Sequence, residues 1–313
     1  MPEMKIEFIS VLIATHNRCE SLKETIKTLL GQEQDGTFEY EIIVVDNNSS
    51  DATKQVVEEL MKGHPGKLKY AFESKQGKSF AINKGVGLSK GGIIACTDDD
   101  CLADPGWLKN IARAFREKDW DILCGKVIPV FQDPVPEWLD FSINIFQGPY
   151  VYFDLGENFL DHSQKKFFPP GANMIMKKKS YFVYGEYSLG TRAQDTEFCY
   201  SWSQKGAKFL YSPDVVIRHV TPKSRLNKDY IRKWHFLSGK NSSHIFTEDY
   251  HKGKKIFGVP GWEYKRFLRS IIRYGIGLFR EPHKNFVNEI WVHFHWGVLN
   301  GLWGFKSRLE NLR

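Results

Sequence analysis

No two of the five cysteines, Cys19, Cys96, Cys101, Cys124 and Cys199, form a Cys-x-x-Cys pair, and their number is odd. That argues against a disulfide framework or a zinc site as the organising device and suits a reducing, cytoplasmic setting. No Gly-x-Gly-x-x-Gly follows the first strand-like run and no Gly-x₄-Gly-Lys-Ser/Thr loop occurs, so the ordinary dinucleotide and P-loop classes fall away. Neither a Ser-His-Asp nor a Cys-His arrangement stands out as a nucleophilic centre. Long apolar runs are missing as well: the most apolar stretch, FVNEIWVHFHWGVLNGLWGF, contains Glu289, His293, His295 and two asparagines, which suits lying on a membrane better than crossing one. The opening MPEMKIEFIS mixes charge with an apolar run too short for a secretory signal.

What is present is a chain of 313 residues, 42% of them hydrophobic, enough to fill one large α/β domain or two smaller ones. The net charge of +7 lies in the C-terminal third: residues 1–221 carry 26 Lys and Arg against 30 Asp and Glu, whereas residues 222–313 carry 18 against seven. That basic third is dense in Trp, Tyr and Phe, which favours an anionic membrane surface as a neighbour; nucleic acid is not expected, since no binding module accompanies the charge.

The N-terminal two thirds alternate between strand-like and helix-like patterns. Phe8–Ala14 reads as a buried strand, Thr15-His16-Asn17-Arg18 as its exit loop, and Glu20 to about Gln32 as a helix with Leu22, Ile26, Leu29 and Leu30 on one face. A second strand, Glu41–Val45, ends in Asp46-Asn47-Asn48-Ser49-Ser50-Asp51 before another helix. A third, Leu68–Phe72, leads through Lys75 and Lys78 to a helix carrying Phe80, Ile82 and Val86. The fourth, Ile93–Cys96, delivers Asp98, Asp99 and Asp100. Ligands of open α/β sheets collect at the carboxyl ends of strands, so Thr15, Arg18, Asp46, Asn48 and the three aspartates are expected to converge. Three adjacent carboxylates either shift their pKa values or meet a cation, and hard ions such as Mg2+ or Mn2+ prefer oxygen ligands.

Plainer readings stand beside these. Asp104-Pro105-Gly106-Trp107 has the form of an N-cap with proline at the first helical position, and Ser50-Asp51 also precede a helix. Lys75 and Lys78 either face an anion at a helix start or are solvated. The irregular stretch Phe131–Pro170, rich in proline and aromatics, reads as a long insertion forming an acceptor wall. Asp195 is either a helix N-cap or a base, and His219, ending the strand Asp214–His219, either a scaffold residue or a ligand. Arg225 either reaches a phosphate or pairs with a surface carboxylate. Beyond it, Tyr230–Phe246, Trp262–Phe279 and Phe286–Phe305 read as helices that lie on a membrane, cover the catalytic domain or build a homodimer, with Gly297 and Gly301 allowing close helix contact.

VLIATHNR, EIIVVDNNSSD, QGKSFAINKGVGLSKGGIIACTDDD, PGANMIMKK and RAQDTEFCYSWSQKGAKFLYSPDVVIRH, in that order from Phe8 to His219, together resemble glycosyltransferase family 2, the inverting GT-A enzymes. The resemblance implies an α/β catalytic domain over 1–221, Rossmann-like with a mainly parallel sheet flanked by helices. Its nucleotide-sugar half is about 1–130 and its acceptor half 131–221, followed by a basic, aromatic helical region over 222–313. It implies a nucleotide-sugar donor, with UDP-sugars the family's commonest donors, a glycan or lipid-linked acceptor, and Mn2+ or Mg2+. By the same carry-over Thr15, Arg18, Asp46 (base contact), Lys78 and Asp98 hold the donor; Asn48 and Asp99, from the same strand ends, are expected with them, and Arg225 follows His219 closely enough to reach its phosphates. Asp100 holds the metal, with His219 beside it. Asp195 takes the place of the catalytic base, the second residue of a Glu-Asp motif whose first position is here Gln194. The expected location is the cytoplasm, at the inner face of the cell membrane. Two other activities remain in view: nucleotidyl transfer to sugar phosphates, and a scaffold that binds sugar nucleotides or glycans without turnover.

Overall fold

Strands whose sequence is apolar at nearly every position need cover on both faces, and the fold supplies it. A computed structural model describes residues 7–189, 194–245, 254–280 and 285–304. Along β1 (Glu7–Thr15), Ile9, Val11 and Ile13 join one core, with Leu22, Ile26 and Leu29 of α1 (Cys19–Leu30) and Trp107, Leu108 and Ile111 of α4 (Trp107–Glu117). Leu12 points the other way, into a second core with Ile43 and Val45 of β2 (Phe38–Asp46) and Ala81, Ile82 and Val86 of α3 (Lys78–Leu88). The period-2 alternation of a strand thus divides one hydrophobic run between two layers of helices.

The remaining elements of this layer are α2 (Thr53–Gly63), β3 (Leu68–Phe72), β4 (Ile93–Thr97), β5 (Cys101–Ala103), β6 (Ile122–Phe131), β7 (Leu160–Asp161), β8 (Met174–Lys177), α5 (Lys178–Tyr184), α6 (Gln194–Gln204) and β9 (Phe209–Thr221). The sheet order is β3-β2-β1-β4-β8-β6-β9-β5, with β7 on β9. The four N-terminal strands pair in parallel, and β8 runs antiparallel between β4 and β6. The parallel half carries the alternation read from the sequence, with β3 as read and the other boundaries moved by up to three residues.

Asp104 departs from its expected role. α4 starts at Trp107 with Gly106 at the N-cap, and the Asp104 carboxylate instead accepts a hydrogen bond from Arg218 Nε of β9 at 2.9 Å. Asp51 serves two helices. One oxygen accepts the Thr53 N–H of α2 at 3.0 Å and the other the Cys19 N–H that opens α1, also at 3.0 Å. These bonds outweigh the burial of the group and hold its pKa down at about 2.

The chain divides into two compact units, Met1–Val130 with Tyr150–Thr221, and Phe131–Pro149 with Pro222–Arg313. The stretch 131–170, read as one insertion, is therefore split between them. In the second unit Trp138 and Phe146 pack on Phe286, with ring centroids 5.3 and 6.1 Å away. In the first, Phe153 bridges to Val127 and meets Tyr211 edge-on. The second unit also contains α7 (Lys228–Ile245), the short strands β10 (Lys255–Ile256) and β11 (Val259–Pro260), α8 (Gly261–Arg280) and α9 (Phe286–Leu302). The expected helix ends at Phe246 and Phe305 lie outside the described residues, as do Gly190–Ala193 before α6.

α7 and α9 touch backbone to backbone: a Cβ on Gly297 would lie 2.0 Å from Phe236 O, and one on Gly239 2.0 Å from Phe294 O. The close contact expected at Gly297 and Gly301 thus occurs within the chain. No helix among the described residues is long and apolar enough to cross a membrane.

Candidate active site

The parallel register sets the first half of the site. Ile13 pairs with Thr97, so the chain leaving β1 at Thr15 runs beside the chain leaving β4 at Asp98. Thr15 Oγ1 donates to Asp99 Oδ2 at 2.8 Å, and Arg18 Nη1 donates to Asp99 Oδ1 at 3.0 Å and Asp100 Oδ2 at 2.8 Å. Both aspartates are buried. Burial raises the Asp99 pKa above the usual carboxylate value, although Arg18 and Thr15 pull against it. For Arg18, burial opposes the charge, and Asp99 and Asp100 more than restore it. The antiparallel pairing of Cys101 with His219 brings that histidine in from β9, its Nε2 lying 3.3 Å from Asp100 Oδ1. The opposite ring nitrogen, Nδ1, is buried with no hydrogen-bond partner among the described residues.

The second half joins Asp98 to Asp195 through a cation. Lys78 is the first residue of α3, following Gly77 at φ 135°, in the region that favours glycine. Its Nζ lies 2.7 Å from Asp98 Oδ1 and 3.6 Å from Asp195 Oδ2. Burial lowers the lysine pKa, but Asp195 and Asp98 outweigh it and the net shift is upward, so Lys78 stays charged. Asp195 is the second residue of α6 rather than its N-cap, and its carboxylate is held by tertiary partners. Tyr187, buried and stacked on Phe198 at 4.1 Å, donates its hydroxyl to Asp195 Oδ1 at 3.3 Å. Burial and the Asp195 charge push the tyrosine pKa well up, so it remains a donor. Gly171 closes the opposite side, where a Cβ would sit 2.2 Å from Asp195 Oδ2. Its turn is fixed by Asn173, whose side chain accepts from Trp107 Nε1 at 3.0 Å and donates to the carbonyls of Lys126 and Val215.

Asp46 and Asn48 lie on the neighbouring loop. Asp46 pairs with Thr15 in the β1–β2 register, and its carboxylate accepts from Ser49 N at 2.9 Å and Tyr70 OH at 2.7 Å. Asn48 has φ 64°, in the left-handed region that asparagine tolerates. Between them Asn47 ties this loop to the start of α3, accepting from Gly77 N and donating to Lys75 O, both at 2.7 Å. Lys75 does not join Lys78; its Nζ lies over the Phe80 ring. Arg225 sits on the 3-10 turn Lys223–Arg225 of the second unit.

Sequence reasoning assigned no role to Tyr187, Gly171, Asn173, Asn47 or Tyr70. The signal for two of them was present in PGANM, where a glycine and an asparagine flank a single alanine, but nothing local reveals that one abuts Asp195 and the other anchors the turn.

Ligand atoms of Asp98, Asp100 and Cys101 lie within 4.8 Å of one another. Burial raises the Cys101 thiol well above its ordinary pKa, which keeps it protonated and a poor ligand. The usable donors are then carboxylate oxygens, with the His219 imidazole beside Asp100, a set that fits Mg2+ or Mn2+.

The glycosyl transferase family 2 model matches residues 10–182. An uncharacterized glycosyltransferase of Nostoc sp. PCC 7120 is 27% identical over 178 residues, 55% of this chain and 51% of that protein, so the chain spans about half its length. The glucosyl-dolichyl phosphate glucuronosyltransferase of Haloferax volcanii is 23% identical over 239 residues, 71% of this chain and 72% of that one. Among solved structures, a mannosyltransferase of Pyrobaculum calidifontis in complex with GDP-Man and Mn2+ superposes with a TM-score of 0.66 at 16% identity, covering 98% of this chain and 90% of its own. That likeness shows the fold, GT-A.

Proposed function

Because the chain belongs to glycosyl transferase family 2, and is thereby a glycosyltransferase, we propose that it moves a sugar from a nucleoside diphosphate sugar, a UDP-sugar, to a hydroxyl of a glycan or lipid-linked acceptor with inversion at the anomeric carbon. The observation that carries this reading is the Lys78 bridge, 2.7 Å from Asp98 and 3.6 Å from Asp195, which puts the donor-side acid and the candidate base on one cation.

Asp195 accepts the proton of the acceptor hydroxyl as its oxygen bonds to the anomeric carbon, and the bond from that carbon to the diphosphate oxygen breaks. Tyr187 and Lys78 hold the carboxylate in place, and Gly171 leaves it room. Arg18 and Lys78 contribute positive charge on the diphosphate side. Asp46 and Asn48 take the nucleoside; the Asp46 oxygens keep lone pairs beyond those that Ser49 and Tyr70 use. Asp100 and His219, with Asp98 alongside, would hold Mn2+ or Mg2+, which when bound neutralises charge on the departing diphosphate.

Supporting a lipid-linked acceptor are the Haloferax relative, whose name places its substrate on dolichyl phosphate, and the basic, aromatic second unit, which suits a membrane surface. The test is to titrate UDP, GDP and dTDP with Mn2+ and again with chelator, then incubate the sugars of whichever binds with acceptors and identify the released product. Metal-dependent binding and release of nucleoside diphosphate are expected. Release of pyrophosphate would instead indicate nucleotidyl transfer, and binding without any release a scaffold.

A further inference from the structure

The second unit carries a surface that neither its packing nor the reaction uses. α8 turns one face to α9: Glu263 and Ser270 are buried, and a Cβ on Gly277 would lie 1.9 Å from Asn285 Oδ1. At 100° per residue the opposite face gathers Leu268, Ile272 and Phe279, flanked by Ile271 and Ile276. They are exposed by 57, 51, 90, 40 and 49%, a continuous apolar stripe rather than scattered single residues.

Beside the stripe, Arg266, Arg269 and Arg273 run along the helix at steps of three and four and line a cleft of about 430 Å³ with Asn288, Trp291 and His295. The Arg266 guanidinium lies over the Trp262 ring at 4.7 Å. Among the described residues no carboxylate forms an ion pair with any of the three. Trp291 is 43% exposed at the same cleft.

We propose that this face docks on a bilayer containing anionic phospholipid. The aliphatic stripe enters the acyl boundary, lipid phosphates seat on the three arginines, whose forked donors match phosphate oxygens, and Trp291 lies at headgroup level. A second copy of the chain fits poorly. Residues 222–313 carry a net +11, and an isologous contact through this face would set like-charged arginine rows against each other. The docking deepens the lipid-linked reading and rests on it only for its purpose, so binding and turnover are measured apart.

The experiment is flotation of the full chain with vesicles of phosphatidylcholine alone and of phosphatidylcholine with phosphatidylglycerol, at low and high salt. Binding is expected on the anionic vesicles and is weakened by salt. Replacing Arg266, Arg269 and Arg273 together with Gln should lower vesicle affinity by about two orders of magnitude, roughly fivefold for each arginine. Leu268→Ser, Ile272→Ser and Phe279→Ser combined should abolish it, with the titration of nucleotide unchanged as the control for folding. Absence of flotation by the wild-type chain, or flotation of either variant at the wild-type level, would overturn the proposal. So would self-association in sedimentation that the serine variant disperses, or displacement from vesicles by low concentrations of inorganic phosphate. Flotation needs no donor, so its failure leaves the transfer reaction standing; a protein that floats but transfers nothing contradicts the reaction and not the docking.

Discussion

Asp195 is held from three directions, by the Tyr187 hydroxyl, the Lys78 ammonium and the bare α-carbon of Gly171. Each can be removed separately. Gly171→Ala places a methyl where the carboxylate stands, so the side chain must swing away: turnover should fall by about two orders of magnitude while calorimetry shows nucleotide binding retained, at a stability cost of about 1–3 kcal/mol. Tyr187→Phe keeps the stack on Phe198 and loses one hydrogen bond, so melting should change by about 1 kcal/mol and turnover by roughly tenfold. Lys78→Gln should impair both turnover and nucleotide binding, since Lys78 also neutralises Asp98. A Lys78 variant that lowered turnover alone would remove it from the donor side.

At the scale of elements, His235 of α7 reports on how Phe131–Pro149 is held. Its Nε2 hydrogen-bonds to Ile145 O at 2.9 Å, and burial lowers its pKa to about 4. Glu289 and Arg232 lie near His293, which also lowers the His235 pKa. A folded pKa below the unfolded value near 6.5 means that the unfolded chain takes up a proton first. Stability is therefore full above that value and falls as pH drops toward 4, by up to about 3 kcal/mol. Urea melts between pH 7 and 4.5 should show the decline in the wild-type chain and a flatter profile in His235→Gln.

The same scale explains what could be read in advance. β1, β2 and β4 were legible because strands buried on both faces carry long apolar runs, whereas β3, LKYAF at the end of the sheet, is only partly buried and was read from its place in the alternation. The start of α4 was not. Asp104-Pro105 has the local form of a cap, but its carboxylate is taken by Arg218, a residue 114 positions away. The split within 131–170 was equally hidden, because Trp138 and Phe153 look alike in sequence and differ only in which unit buries them.

For the molecule as a whole, the charge division seen in the sequence coincides with a physical one: the basic third after Thr221 falls in the second compact unit. Convergence of Thr15, Arg18 and the three aspartates could be anticipated from strand order alone. The joining of Asp195 and His219 to them could not, since those contacts cross the antiparallel half of the sheet and the start of α6; only the ordered motifs of the family pointed there. Tyr187 and Gly171 carry no signature apart from their neighbours.

The measurement that bears most directly on the reaction is Asp195→Asn, with donor binding followed by calorimetry and transfer by product formation. Asparagine keeps the shape and the contact with Tyr187 but cannot take the acceptor proton. Donor affinity within a few-fold of wild type and turnover lower by at least about a thousandfold is the expected result. Undiminished turnover with intact binding would contradict Asp195 as the base and with it the proposed displacement.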